Sequence, residues 1–132
     1  MTTHDIFEIA QWVVRILLAI VFVGMGVNHF RPGAARIMAK MIPPRMRREG
    51  LLAPVNLVRF TGVCEIAGGI GLLIPATQFA AGILLAVFLV AVFPANVYAA
   101  RHPEIFRSLS IPLVPRSIAQ IVLIGLCVFA AV

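Results

Sequence analysis

Four stretches of the chain are almost continuously apolar. Each approaches the roughly 20 residues that, at 1.5 Å rise per residue, cross about 30 Å of hydrocarbon. The first runs from about Ile9 to Phe30 and is interrupted by Gln11, Arg15 and Asn28. The second, about Val55 to Ile74, carries Arg59 and Glu65 and stops at Pro75. The third runs from about Phe79 to Ala99, with Pro94 and Asn96 near its end. The fourth, about Arg116 to Val132, is short unless the Ile111–Val114 stretch joins it. The pattern predicts an all-α polytopic membrane protein, a bundle of four transmembrane helices, in a single domain over residues 1–132.

The connections differ in kind. The tight uncharged turn from Pro75 to Gln78 makes the second and third helices an antiparallel hairpin. The segment from Arg31 to Pro54 is long and basic, and within it Ile37, Met38, Met41 and Ile42 recur beside Arg36 and Lys40. That spacing predicts a short interfacial helix lying on the membrane surface until Pro43-Pro44 ends it. Arg101, His102, Glu104 and Arg107 make the third connection basic as well. The tail before the first helix and the Pro75–Gln78 turn carry no Lys or Arg. Positive residues stay cytoplasmic, so both termini are expected outside.

Composition agrees. Hydrophobic residues make up 61% of the 132 residues and charged ones 12%, against roughly 45–50% and about 25% in soluble domains. This argues against an ordinary soluble enzyme, a disordered chain and a disulfide scaffold. Eleven Lys and Arg against five Asp and Glu give +6. In a membrane chain that surplus belongs to cytoplasmic loops rather than to nucleic-acid binding. Asp5 and Glu8 stand where a cleaved signal peptide would be basic. Cys64 and Cys127 lie inside apolar stretches with no paired-cysteine motif, and are read as small buried hydrophobes.

A charge at the centre of a span costs about 2.5–3.5 kcal/mol on insertion scales, so each one asks for a partner. Arg15 would lie roughly 9 Å inside the first helix and Glu65 roughly 15 Å below the same surface. An arginine side chain can bridge that difference, so the two are expected to meet. They would then either fix helix register as an ion pair or make Glu65 a proton-handling or ligand-binding group. A second polar group gathers at the cytoplasmic ends: Asn28 and His29, Asn96 and Tyr98, Arg116 and Gln120. Arg15, Ala19, Phe22, Gly26 and His29 share one helical face, so both polar groups look into one interior. His29 is either a cap or part of a site. No second His or Cys stands at a metal-ligand spacing, and no metal site is read. The small residues of the second helix, Gly62, Cys64, Ala67, Gly68, Gly69 and Gly71, favour close helix packing over a slot for a flat ligand.

Gly26-Val-Asn-His29-Phe30, the stretch Thr61 to Pro75, the Phe93-Pro94-Ala95-Asn96-Val-Tyr98 ending and Arg116 with Gln120 together resemble the DoxX-like membrane proteins. The likeness runs from about Arg15 to Ile124, in that family's order. It implies a four-helix bundle in a bacterial cytoplasmic (inner) membrane and a redox association. Such relatives include a subunit of a thiosulfate:quinone oxidoreductase and partners of periplasmic redox proteins. A more distant class, represented by a neuronal receptor chaperone, assembles other membrane proteins.

Two functional readings follow. In the first, an interior lined by Arg15, His29, Glu65 and Asn96 would hold a quinone or small anion, or relay a proton, beside another membrane or redox protein. In the second, the chain is an assembly protein that presents its helix faces to other spans, or to a second copy, and the polar residues only organise the bundle. Membrane lipids are partners in either case.

Overall fold

A computed structural model describes residues 1–106 and 111–132; Arg107 of the third connection lies outside them. The first helix, α1, spans Thr3–Asn28. It begins six residues before the apolar run because Thr2 and Asp5 form a capping box. The Asp5 amide donates to Thr2 Oγ1 (3.2 Å) and the Thr2 amide to Asp5 Oδ2 (2.9 Å), satisfying two end donors.

The interfacial helix, α2, covers Pro32–Met41, with Pro32 in its first turn. α3 spans Pro54–Leu72. The third span is not one continuous helix: it divides into α4, Gln78–Ala91, and α5, Phe93–Arg101. Pro94 causes the break, since it has no amide hydrogen to complete the helical ladder. A short α6, Pro103–Phe106, follows. α7 covers Leu113–Ala131, 19 residues, so part of the Ile111–Val114 stretch does join the last helix and brings it to about 28 Å.

Each long helix packs on the next: α1 on α3, α3 on α4, α4 on α7, and α7 back on α1. The ring closes on a core that includes Phe22, Leu72, Leu85, Leu89 and Cys127. The tight turn makes the expected hairpin, held by Thr77 Oγ1 donating to Gly71 O at 2.9 Å.

Close approach of α1 and α3 depends on two glycines. A Cβ added at Gly26 would fall 2.7 Å from Gly62 O, and one at Gly62 would fall 2.9 Å from Gly26 O. The small face of α3 is also filled on its other side, where a Cβ at Gly68 would meet Leu85 at 2.6 Å. Gly26, Gly62 and Gly68 therefore serve close packing of α3 against α1 and α4. The outward faces carry exposed Ile20, Phe60, Val87 and Ile121. In water such faces would cost heavily; in hydrocarbon they are already solvated.

Candidate functional site

The α1–α3 crossing sets the level of Arg15 and His29 on α1 relative to Glu65 on α3. Gly26 lies against Gly62, and Gly69 lies against Ala19 and Val23. This antiparallel register puts Glu65 beside the C-terminal end of α1, where His29 is the cap residue. Both residues are buried, at 9% and 4% exposed. His29 Nε2 lies 3.4 Å from Glu65 Oε2, an oxygen with no hydrogen-bond donor of its own.

The other imidazole nitrogen decides the chemistry. His29 Nδ1 is 2.9 Å from Val58 O and 3.0 Å from Thr61 Oγ1. A carbonyl only accepts, and the Thr61 hydroxyl already donates to Val58 O at 2.7 Å. Nδ1 must therefore carry a hydrogen and donate. Nε2 is the nitrogen left to face Glu65 Oε2, and at 3.4 Å the contact is slightly longer than an ordinary hydrogen bond.

Arg15 does not meet Glu65. At 1.5 Å per residue the register separates their backbones by roughly 12 Å along the bundle. The expectation failed because α1 starts at Thr3 and its first turns project beyond the bundle, which places Arg15 level with the end of α3. There Arg15 Nε donates to Ala130 O (2.9 Å) and its guanidinium lies 5.0 Å from the Trp12 ring centre. Gln11 Nε2 donates to Phe129 O (3.1 Å) and Gln78 Nε2 to Ala131 O (3.5 Å). These three carbonyls lie in the last turn of α7 and accept from the side chains of α1 and α4. A cation at that negative helix end is favourable. Arg15 is thus buried (4% exposed) as a cap, apart from the His29–Glu65 contact.

Asn96, Arg116 and Gln120 form a third cluster, all half-buried. Arg116 Nη1 donates to Asn96 Oδ1 (3.0 Å), Asn96 Nδ2 to Gln120 Oε1 (3.3 Å), and Gln120 Nε2 to Leu89 O. The chain ends on a carbonyl at the α4–α5 break, so it ties the interrupted span to α7. An open cleft of about 240 Å³ lies beside it, lined by Val90, Phe93, Ser117, Gln120, Ile121 and Ile124. Tyr98 instead stacks on His102, ring centres 4.1 Å apart. Asn28 is half-buried at the end of α1.

Sequence reasoning passed over Thr61, which orients His29, and Gln11, which helps to cap α7. Both carried a signal. Thr61 is four residues before Glu65 and Gln11 four before Arg15, each on the same helical face as its charged neighbour. Among the described residues no group of three His, Cys, Asp or Glu is placed to hold a metal ion. Cys64 and Cys127 are free thiols.

Four helical spans long and apolar enough to cross a membrane, the third made of α4 with α5, closed into an all-helical bundle, make this a small polytopic membrane protein. Within that class the chain belongs to the DUF8561 family, a domain of unknown function whose model matches residues 18–131. Neither a curated protein nor a solved structure matches it.

Proposed function

We propose that the protein is a membrane component of a redox-associated system and that its working group is the proton held by His29 and Glu65. The observation that carries this reading is the orientation of His29. Val58 O and Thr61 occupy Nδ1, so Nε2 faces an otherwise unpartnered carboxyl oxygen inside the bundle. A buried acid–base pair with one proton and two places for it suits proton donation and recovery. The acceptor would be a quinone or another small ligand, because reduction of a quinone consumes protons. The sequence likeness to DoxX-like proteins supports the redox setting and a membrane or redox protein as partner. We read the basic end, with α2, as cytoplasmic and both termini as outside, in a bacterial cytoplasmic membrane.

A second reading, assembly of other membrane proteins, is favoured by one observation. Gln11, Arg15, Asn96, Arg116 and Gln120 all spend hydrogen bonds on holding the bundle itself.

One purification separates the two. Protein taken up in mild detergent is analysed for extracted quinone and for co-purifying subunits, and the carboxylic-acid infrared band is followed in the native chain and in Glu65→Gln. A retained quinone and a band that exchanges its proton and vanishes in Glu65→Gln support the proton reading. Ligand-free protein that captures membrane subunits equally well with Glu65→Gln supports assembly. For topology, cysteines placed at Thr3 and Thr77 should react with an impermeant thiol reagent in intact cells, and one at Arg47 should not.

A further inference from the structure

The basic end carries a surface that the His29–Glu65 pair does not use. α2 lies on α3 there and buries Ala35 and Ala39 against Val58. Its other side is open. Arg36 and Lys40 stand one turn apart, and Ile37 (43% exposed) and half-buried Met41 lie beside them. The segment after α2 folds back on the helix end: Arg47 donates from Nε to Ile42 O (2.9 Å) and from Nη2 to Lys40 O (3.1 Å). Arg48 Nη1 donates to Arg45 O (3.0 Å). Arg47 and Arg48 are thereby spent on backbone carbonyls. Arg36, Lys40 and Arg45 are different: among the described residues none of their side chains makes an ion pair or a hydrogen bond. Glu49 is the one acid between Arg31 and Arg59.

We infer that the open face of α2 with the segment that follows it, through Arg36 and Lys40 on the helix and Arg45 after it, is a binding site for the phosphodiester headgroups of anionic phospholipids. Charge complementarity selects an anion, and the neighbouring apolar groups select a lipid. Ile37, Met41 and the 90% exposed Leu51 lie at the end of four apolar spans, where the nearest anions with apolar chains are those of the bilayer. Long basic side chains reach headgroup phosphates while the apolar residues enter the acyl boundary. The inference does not depend on the proton reading.

The test uses the full chain in phosphatidylcholine bilayers that contain a small fraction of spin-labelled phosphatidylglycerol or, separately, spin-labelled phosphatidylcholine. The immobilised lipid fraction gives the relative affinity of the two headgroups. One basic residue near a membrane surface accounts for about fivefold. The triple variant Arg36→Gln/Lys40→Gln/Arg45→Gln should therefore reduce the preference for phosphatidylglycerol by at least about fivefold. The charge-preserving Arg36→Lys/Lys40→Arg/Arg45→Lys should keep it, and Arg101→Gln, a cation at the same end outside the proposed site, should lower it less than any of the three single Gln variants at Arg36, Lys40 and Arg45. Circular dichroism checks that each variant is helical. If the triple variant does not fold, the three single Gln variants decide, each lowering the preference. An unchanged preference in the Gln variants overturns the proposal. So does an equal loss in Arg101→Gln, which would make the effect one of total charge.

Discussion

The separation of Arg15 from Glu65 and the pairing of His29 with Glu65 predict opposite outcomes in two double-mutant cycles. The perturbations are Arg15→Gln, His29→Gln and Glu65→Gln, alone and in the two pairs that include Glu65. At 3.4 Å an ionised pair would attract by about 5 kcal/mol at an effective dielectric of about 20. A neutral hydrogen-bonded pair would net about 0.5–1.5 kcal/mol. After desolvation, a coupling of about 1–3 kcal/mol is expected for His29 with Glu65. At roughly 12 Å the same Coulomb expression gives about 1.4 kcal/mol before desolvation for Arg15 with Glu65, less than a third of the His29 figure, and the two share no partner. The assay is loss of helical ellipticity on titration with a denaturing detergent, with each variant measured in the same mild detergent background. The losses of Arg15→Gln and Glu65→Gln should nearly add, whereas those of His29→Gln and Glu65→Gln should not. A coupling for Arg15 and Glu65 equal to or larger than that for His29 and Glu65 would refute the glycine-set register on which the site rests.

Three further outcomes follow from the packing. Gly62→Val should destabilise by about 1–3 kcal/mol through overpacking against α1, whereas Gly24→Ala and Gly125→Ala, which meet nothing within 4 Å, should be neutral or slightly stabilising in the same titration. Arg15→Gln should lower stability by about 1–2 kcal/mol, because the cation at the end of α7 is lost; hydrogen exchange should show the loss concentrated at the last turn of α7. Gln120→Leu should cost about 1–3 kcal/mol, since Leu89 O and the Asn96 amide each lose a partner; equal stability of this variant would remove the clamp at the α4–α5 break.

Much of the architecture was legible along the chain. Four apolar runs of membrane length, the hairpin at Pro75–Gln78, the amphipathic segment around Arg36 and Lys40, and the shared face of Arg15, Phe22, Gly26 and His29 all depend on periodicity and local chemistry, which a sequence displays directly. The Thr2–Asp5 box that starts α1 and the Pro94 that breaks the third span were also there to be read, though their consequences for boundaries were missed. Partner choice was not legible. Hydropathy gives a depth for each charge only relative to its own helix, and depth says nothing about how far one helix slides along the next. That slide is set where Gly26 and Gly62 let two backbones touch, and it moves Glu65 to His29 and away from Arg15, which meets the closing carbonyls of α7 instead. The sequence by itself determined a four-span helical membrane protein with buried polar groups. Only the tertiary contact decided which of those groups face each other, because one glycine crossing fixes the register of every residue on both helices.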